Sequence, residues 1–188
     1  MRYTINDMKF KRRRLGLTNY KRRLALVKGN MDRVVVRKTN KRIIGQVVSY
    51  EEKGDKIKAC ADSNDLVKAY GWPSRTNRPT AYLTGLLLAK KSKDKKEVVL
   101  DIGIVAPVRN SIPFIFAKGC MDGGLKLKGT LDIDMKMLDA TQIAKYAESL
   151  KGDKAAFKKQ FGGYSEKGVH PEDLPKLFNE VKAKILQG

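Results

Sequence analysis

The side chains gathered most densely in this sequence are cations, and the chemistry they offer is the binding of phosphate. Lys9, Lys11, Arg12, Arg13, Arg14, Lys21, Arg22, Arg23, Arg37, Lys38, Lys41 and Arg42 fall within a single N-terminal stretch. The planar guanidinium can grip a phosphate through two parallel hydrogen bonds and stack on a base, which the point charge of lysine does not do. Groups suited to unpaired bases accompany these cations: the amides of Asn19 and Asn40, the ring of Tyr20, and a loop in which Arg75, Asn77 and Arg78 follow Trp72, the only tryptophan.

Catalysis would need convergent groups, and fewer are on offer. His170, the one histidine, stands before Pro171 in a linker-like segment, and the serines and cysteines have no evident histidine partner. No G-x-x-x-x-G-K-[ST] phosphate loop occurs. The remaining enzymatic possibility is a metal-dependent nuclease centred on Asp101, at the end of Val98-Val99-Leu100, joined by Asp62 and Asp122. That chemistry requires carboxylates gathered around metals ~3.5–4 Å apart. Each Asp also has a simpler structural use: Asp62 as a helix cap, Asp122 in a glycine turn, Asp101 at a strand end.

The charge distribution agrees with binding. The chain has 188 residues and a net charge of +20, and residues 1–50 alone carry 15 Lys+Arg against 2 Asp. Self-repulsion of that size is relieved by a polyanionic partner. With 41% hydrophobic residues the chain can still bury a core, which excludes a disordered polycation. The Lys90–Lys96 run, interspersed with Asp94, reads as a solvated face. Cys60 and Cys120 are too few for a zinc or disulfide scaffold and read as buried free thiols, as in a reducing cytosol. Met1–Asp7 shows no apolar signal segment, and no apolar run approaches the ~20 residues of a bilayer span. A soluble protein is expected, without membrane or small-molecule partners and without cofactor or metal.

These side chains need a scaffold. Residues 1–17 read as an extended arm that orders on its partner, and Thr18 or Asn19 caps a helix to about residue 28. Tyr20, Leu24 and Val27 form a thin apolar seam on that helix, with Lys21, Arg22, Arg23 and Lys28 on its broad cationic face. Strands at 33–37, 42–50 and 56–61, joined by short turns, make an antiparallel meander. A short helix from 62–64 to Tyr70 and a second from Thr80 to about Lys91 follow, the latter with Gly85 allowing close backbone approach. A strand at 97–103 is reached by a crossover, and a helix spans Ser111 to about Met121. Farther on, Asp139–Gln142 looks like a capping box opening a helix to Leu150, and Gly162-Gly163 breaks the chain. A last helix carries Leu174, Leu177, Phe178, Val181 and Ile185 on one stripe. The expected fold is an α/β three-layer domain with a mixed sheet over 30–125, a basic arm and helix over 1–29, and a helical extension over 126–188.

Several motifs together are more specific. Arg13-Arg14-x-Gly16-x-Thr18-x-Tyr20-x-x-Arg23-Leu24, Arg33-x-Val35-Val36-Arg37-x-Thr39-Asn40-x-x-Ile43, and Tyr70-Gly71-Trp72 stand in that order. Asn77-x-Pro79-Thr80-Ala81-Tyr82-Leu83-Thr84-Gly85 and Phe116-Ala117-Lys118-Gly119-x-x-Asp122-Gly123-Gly124 extend them. This combination, over about residues 9–125, resembles ribosomal large-subunit protein family eighteen, which binds 5S ribosomal RNA, in its archaeal and eukaryotic-like form. The segment 139–188 resembles the archaeal extension.

The resemblance implies a ribonuclease H-like fold of the translation-machinery type without the nuclease site, and a place in the central protuberance of the large ribosomal subunit in the cytoplasm. There the protein would fasten 5S rRNA to 23S rRNA beside a neighbouring 5S-binding large-subunit protein. By motif, Lys9 to Arg23 (Thr18 included), Arg37 to Arg42, and Trp72 to Tyr82 would lie on RNA. With Lys28 and Arg33 these make up the expected RNA-binding residues. Two alternatives remain beside this reading: the Asp101-centred metal-dependent nuclease, and a free basic RNA chaperone.

Overall fold

The computed structural model describes residues 8–92 and 96–187. Strands β1 (Asp32–Lys38), β2 (Ile43–Ser49) and β3 (Lys56–Asp62) form the expected meander, β1 pairing antiparallel with β2 and β2 with β3. The chain then crosses over through helices to β4 (Val98–Asp101), which pairs parallel with β1. The result is a mixed sheet of order β3-β2-β1-β4. Alternation assigns its two faces: Val34, Val36, Ile43, Val47 and Ala61 are buried under helices, whereas the cross-strand neighbours Val35, Gln46 and Cys60 point the other way. Cys60 is therefore exposed, contrary to the expectation of a buried thiol, because no helix covers its face. Cys120 is buried, and that burial pushes its thiol pKa up.

The helices meet the sequence pattern closely in the core. Asp62 caps α3 (Ser63–Tyr70) in a capping box with Asp65. Asn77 caps α4 (Arg78–Lys91), accepting from the Thr80 N–H at 2.9 Å. Every residue from Pro79 to Ala89 is buried, because α4 has the sheet on one side, α5 (Ile112–Asp122) beside it and the C-terminal helix α8 (Leu174–Gln187) outside it. Leu174, Phe178, Val181 and Ile185 of α8 are buried in the same cluster as the α/β core, each side chain contributing about 1.5–3 kcal/mol of transfer free energy. Sheet, α4–α5 and the α8 side make three layers.

Two glycines let α4 and α5 touch through their backbones. A Cβ on Gly85 would collide with the Phe116 carbonyl, and one on Gly119 with the carbonyl of Tyr82.

Elsewhere the structure departs from expectation. Residues 1–7 lie outside the described residues, as do 93–95 of the Lys90–Lys96 run. Residues 8–17 are not simply extended: Lys11–Arg14 forms one helical turn, α1, closed by Leu17 N–H to the Arg12 carbonyl at 2.9 Å. In α2 (Tyr20–Lys28), capped by Asn19, the seam turns inward only in part. Tyr20 and Val27 are half-buried, as are Arg22, Arg23 and Leu26, but Leu24 is 56% exposed.

Before α6 (Thr141–Ser149), Ala140 sits at φ 63° in the cap position, and Asp139 accepts from Thr141 N–H in place of a capping box. Gly162-Gly163 does not break the chain. Helix α7 (Lys154–Ser165) runs through it, started by Asp153 and held by the ring contacts of Phe157 and Tyr164 with Phe161. Apolar i, i+4, i+7 packing outweighs the ~1 kcal/mol helix penalty of each glycine.

We expect Gly85→Ala and Gly119→Ala each to lower the melting midpoint by the equivalent of at least about 1–3 kcal/mol, since backbone rather than a side chain must yield. Gly124→Ala would not test this contact, since nothing approaches that position and its φ of 99° adds its own strain. A second expectation concerns acid. Burial alone would raise the Asp32 carboxyl, but hydrogen bonds from Lys58 and Ser49 and the nearby charges of Lys58 and Lys96 hold it below its ordinary 3.8. A carboxylate so depressed stabilises the fold above its ordinary range and loses that contribution as pH falls through the folded value. Asp32→Asn should therefore flatten the decline in unfolding free energy below about pH 4, measured by urea titration at several pH values.

Candidate nucleic-acid interface

Sheet register places the charges before any ligand is considered. Asp101 on β4 lies beside Val35 of β1, so Arg33 and Arg37, two residues to either side of Val35, flank it on the same face. Asp101 Oδ2 lies 3.5 Å from Arg33 Nη1, and Oδ1 lies 3.3 Å from Arg37 Nη2 while accepting from Gly103 N–H at 2.8 Å. Arg33 continues to Asp55 in the β2–β3 turn at 2.9 Å, and Asp55 to Arg23 of α2 at 3.0 Å. Five alternating charges thus run from the N-terminal helix to the end of β1. Arg22 completes the attachment by donating to the Gly103 carbonyl at 2.7 Å. Helix α2 has no buried residue and is held to the body by these guanidinium bonds.

The expected RNA-binding residues therefore divide. Arg33 is 1% exposed, Trp72 0% and Tyr82 1%, so all three are buried within the chain's own fold. Arg33 is the counter-ion of Asp55 and Asp101. Trp72 donates its Nε1–H to Thr80 Oγ1 at 2.7 Å and packs against the Phe178 ring. Tyr82 donates its hydroxyl to Asp122 at 2.8 Å, and burial together with that carboxylate pushes its pKa up.

Arg22, Arg23 and Arg37 are engaged as described, and Arg42, although exposed, pairs with Asp62 at 2.9 Å. Arg12 donates to Thr18 at 2.9 Å, Asn19 caps α2, and Tyr20 packs against Phe10, with ring centroids 5.5 Å apart. Asn77 is half-buried at its own cap. Lys9, Lys11, Arg13, Arg14, Lys21, Lys28, Lys38, Asn40, Lys41, Arg75 and Arg78 are exposed.

Two concave regions collect these groups. A cleft of about 660 Å³ separates the α1–α2 segment from the loop after β4, with Leu26, Ile104 and Ile112 among its apolar lining and Arg12, Arg22 and Lys38 among its cations. A concavity of about 530 Å³ is lined by Thr39, Asn40, Lys41, Arg42, Asn64 and Arg75, with no carboxylate in the lining. Asn64, on α3, was not foreseen: its type is ordinary at a helix start, and only the fold brings it beside the hairpin.

The three aspartates of the nuclease alternative do not meet. Asp101 is at the β4 edge of the sheet, Asp62 ends β3 at the opposite edge, and Asp122 closes α5 in the helical layer. Each has its own partners: Asp101 the arginines above, Asp62 Arg42, Asp122 Tyr82 and Lys118. Among the described residues no group of three or more His, Cys, Asp or Glu could hold a metal. None of the described helices is long and apolar enough to cross a membrane.

Fold and surface together define a strongly basic α/β protein whose exposed cations are most densely set on the N-terminal segment and the first hairpin, where few carboxylates accompany them. Residues 2–99 match the model of a family described as ribosomal large subunit proteins 60S L5 and 50S L18. The chain is also 42% identical over 186 residues to the large ribosomal subunit protein uL18 of Sulfurisphaera tokodaii, covering 96% of this chain and 95% of that relative. The chain belongs to this family of large-subunit ribosomal proteins and is a structural constituent of that class. The archaeal-type resemblance is borne out, since the similarity continues far beyond the matched N-terminal half.

The buried charge chain makes an asymmetric forecast. Removing one partner of a buried pair strands the other, at about 3–5 kcal/mol, whereas replacing both partners by apolar residues of similar volume is far milder. Asp101→Ala and Arg33→Met, each of which removes one partner, should accordingly destabilise the protein by about that amount, and the Arg33→Met/Asp101→Leu double variant by clearly less than the sum of the two. Urea midpoints would show it, and strictly additive losses would mean Arg33 is not balanced by Asp101.

Proposed function

We propose that this chain binds 5S rRNA and fastens it to 23S rRNA in the central protuberance of the cytoplasmic large subunit, beside a neighbouring large-subunit protein that also contacts 5S rRNA. The observation that carries the reading is the set of cations left over once the internal pairs are formed. Lys9, Lys11, Arg13, Arg14, Lys21, Lys28, Lys38 and Lys41 are exposed and make no ion pair among the described residues. The internally bonded arginines serve a different end, which is to orient the segment that bears them. Because α2 is tied at Asp55 and Gly103, the free cations of α1 and α2 project from a fixed base, so part of the ordering cost of binding is met before RNA arrives.

Phosphate contact supplies affinity and position, while shape and unpaired bases supply selectivity. In this interface Arg13 and Arg14 on α1, Lys21 and Lys28 on α2, and Lys38 and Lys41 on the hairpin are the phosphate ligands. Asn40 and Arg75, in the hairpin concavity, are the groups placed to meet a base or a sharply turned backbone.

Binding to a 5S rRNA transcript should fall steeply with salt, each neutralised phosphate adding a log–log slope of about 0.7–0.9. Lys11→Ala, Arg13→Ala and Arg14→Ala combined should lower that slope by about 2–3 and weaken binding strongly, with circular dichroism of the core unchanged. A slope that stays flat in the wild-type protein would remove the electrostatic mechanism. Equal affinity for an unrelated structured RNA would favour a general chaperone.

A further inference from the structure

We propose that Tyr164 and Lys167, in the C-terminal extension, are positioning residues for the RNA interface: they hold the Trp72–Arg78 loop so that Arg75 closes the concavity made by the first hairpin. The inference rests on the RNA reading above and adds to it a task for a segment outside the matched residues 2–99.

The loop cannot hold itself. Pro73 and Pro79 have no N–H to give, and among the described residues no backbone hydrogen bond involves Ser74, Arg75 or Thr76. It is anchored at its two ends instead. At the first, Trp72 is buried and its N–H bonds to the Leu66 carbonyl at 3.2 Å. At the second, Asn77 caps α4 through the N–H and the hydroxyl of Thr80.

Two side chains from far along the chain then grip the loop. Lys167 Nζ donates to the Pro73 carbonyl at 2.5 Å, and the Asn77 amide donates to the Tyr164 hydroxyl at 3.2 Å. Tyr164 sits in the last turn of α7 and Lys167 in the turn that follows, where Lys167 and Val169 N–H fold back onto the Tyr164 carbonyl and Gly168 turns the chain at φ 69°. Tyr164 itself is fixed by its ring contact with buried Phe161.

Polar hydrogens are used in sequence: Trp72 to Thr80, Thr80 to Asn77, Asn77 to Tyr164. What this assembly leaves projecting is Arg75, exposed and lining the concavity opposite Asn40, Lys41 and Arg42. Arg42 has Asp62 to neutralise it, so Lys41 and Arg75 are the charges left for a phosphate there. A loop released from Lys167 and Tyr164 would spread Arg75 over many orientations, and affinity falls with the fraction that remains competent.

The test is a double-mutant cycle on the full-length protein with a 5S rRNA transcript. Arg75→Ala, Lys167→Met and Tyr164→Phe are each expected to weaken binding, by about threefold to tenfold for Lys167→Met, with unchanged circular dichroism. Lys167→Met should also lower the salt slope by about 0.7–0.9, as Arg75→Ala does, although Lys167 itself meets no phosphate. In the Arg75→Ala background Lys167→Met should add nothing, whereas Arg13→Ala should add in full, and Lys167→Arg should restore binding. If Arg75→Ala weakens binding but Lys167→Met and Tyr164→Phe do not, or if their effects simply add to it, the positioning role is overturned while the RNA reading stands. If Arg75→Ala has no effect while Arg13→Ala does, the concavity is not on the RNA and the proposal falls with it. Failure of the wild-type protein to bind the transcript would sink both.

Discussion

Arg33 lies in the sheet with almost no access to water, between Asp55 on one side and Asp101 on the other, and much of the surface follows from balancing it. A buried guanidinium demands compensation, and the Asp101 that supplies it is also the group that receives Arg37. Asp55 in turn receives Arg23, which draws helix α2 onto the body. One internal charge therefore fixes the relation between the last strand, the first hairpin and the N-terminal helix. The cations available to a partner are those that this chain of pairs does not consume.

This division resolves what a count of charges leaves mixed. An excess of +20 describes attraction to a polyanion, but it does not say which side chains are spent inside the protein. Arginine and lysine take different shares here. The arginines of α2 and β1 form the carboxylate- and carbonyl-directed bonds that build the scaffold, the several N–H groups of one guanidinium reaching different partners. The lysines of the same elements, Lys21, Lys28 and Lys38, stay on the outside. An N-terminal helix without a single fully buried residue can thus be oriented with only a half-buried apolar seam, and Leu24 can remain in solvent.

Rigidity in the helical layer serves the same end from the opposite side. Gly85 and Gly119 bring α4 and α5 into backbone contact, α8 seals α4, and Trp72 is locked between Thr80 and Phe178. The loop after Trp72 emerges from that packed region and is gripped by α7. The proposed interface would consequently be assembled from three distant parts of the chain: the basic segment, the hairpin, and a loop held by the C-terminal extension.

The amino-acid sequence alone determined the elements of the core and the family, because both are carried by local signals. Alternation in 33–37 and 43–48, the Asn19 and Asp62 caps, the existence of α4 and the stripe of α8 each depend on neighbours within a few residues, whereas the Asn77 cap and the burial of α4 on all sides were seen only in the structure. The close approach at Gly85 is legible on the same ground, but its counterpart Gly119, on another helix, is not. The tertiary structure alone decided which cations are free, since Asp55 and Asp101 lie 22 and 68 positions from Arg33 and no local pattern pairs them. It also decided that Trp72 and Tyr82 are core residues: an aromatic beside arginines looks the same in sequence whether it faces a base or a phenylalanine. Helix α7 passed through Gly162-Gly163 for a related reason. Local propensity is a matter of about 1 kcal/mol per glycine, and three rings packed along one face, visible only once the helix exists, outweigh it.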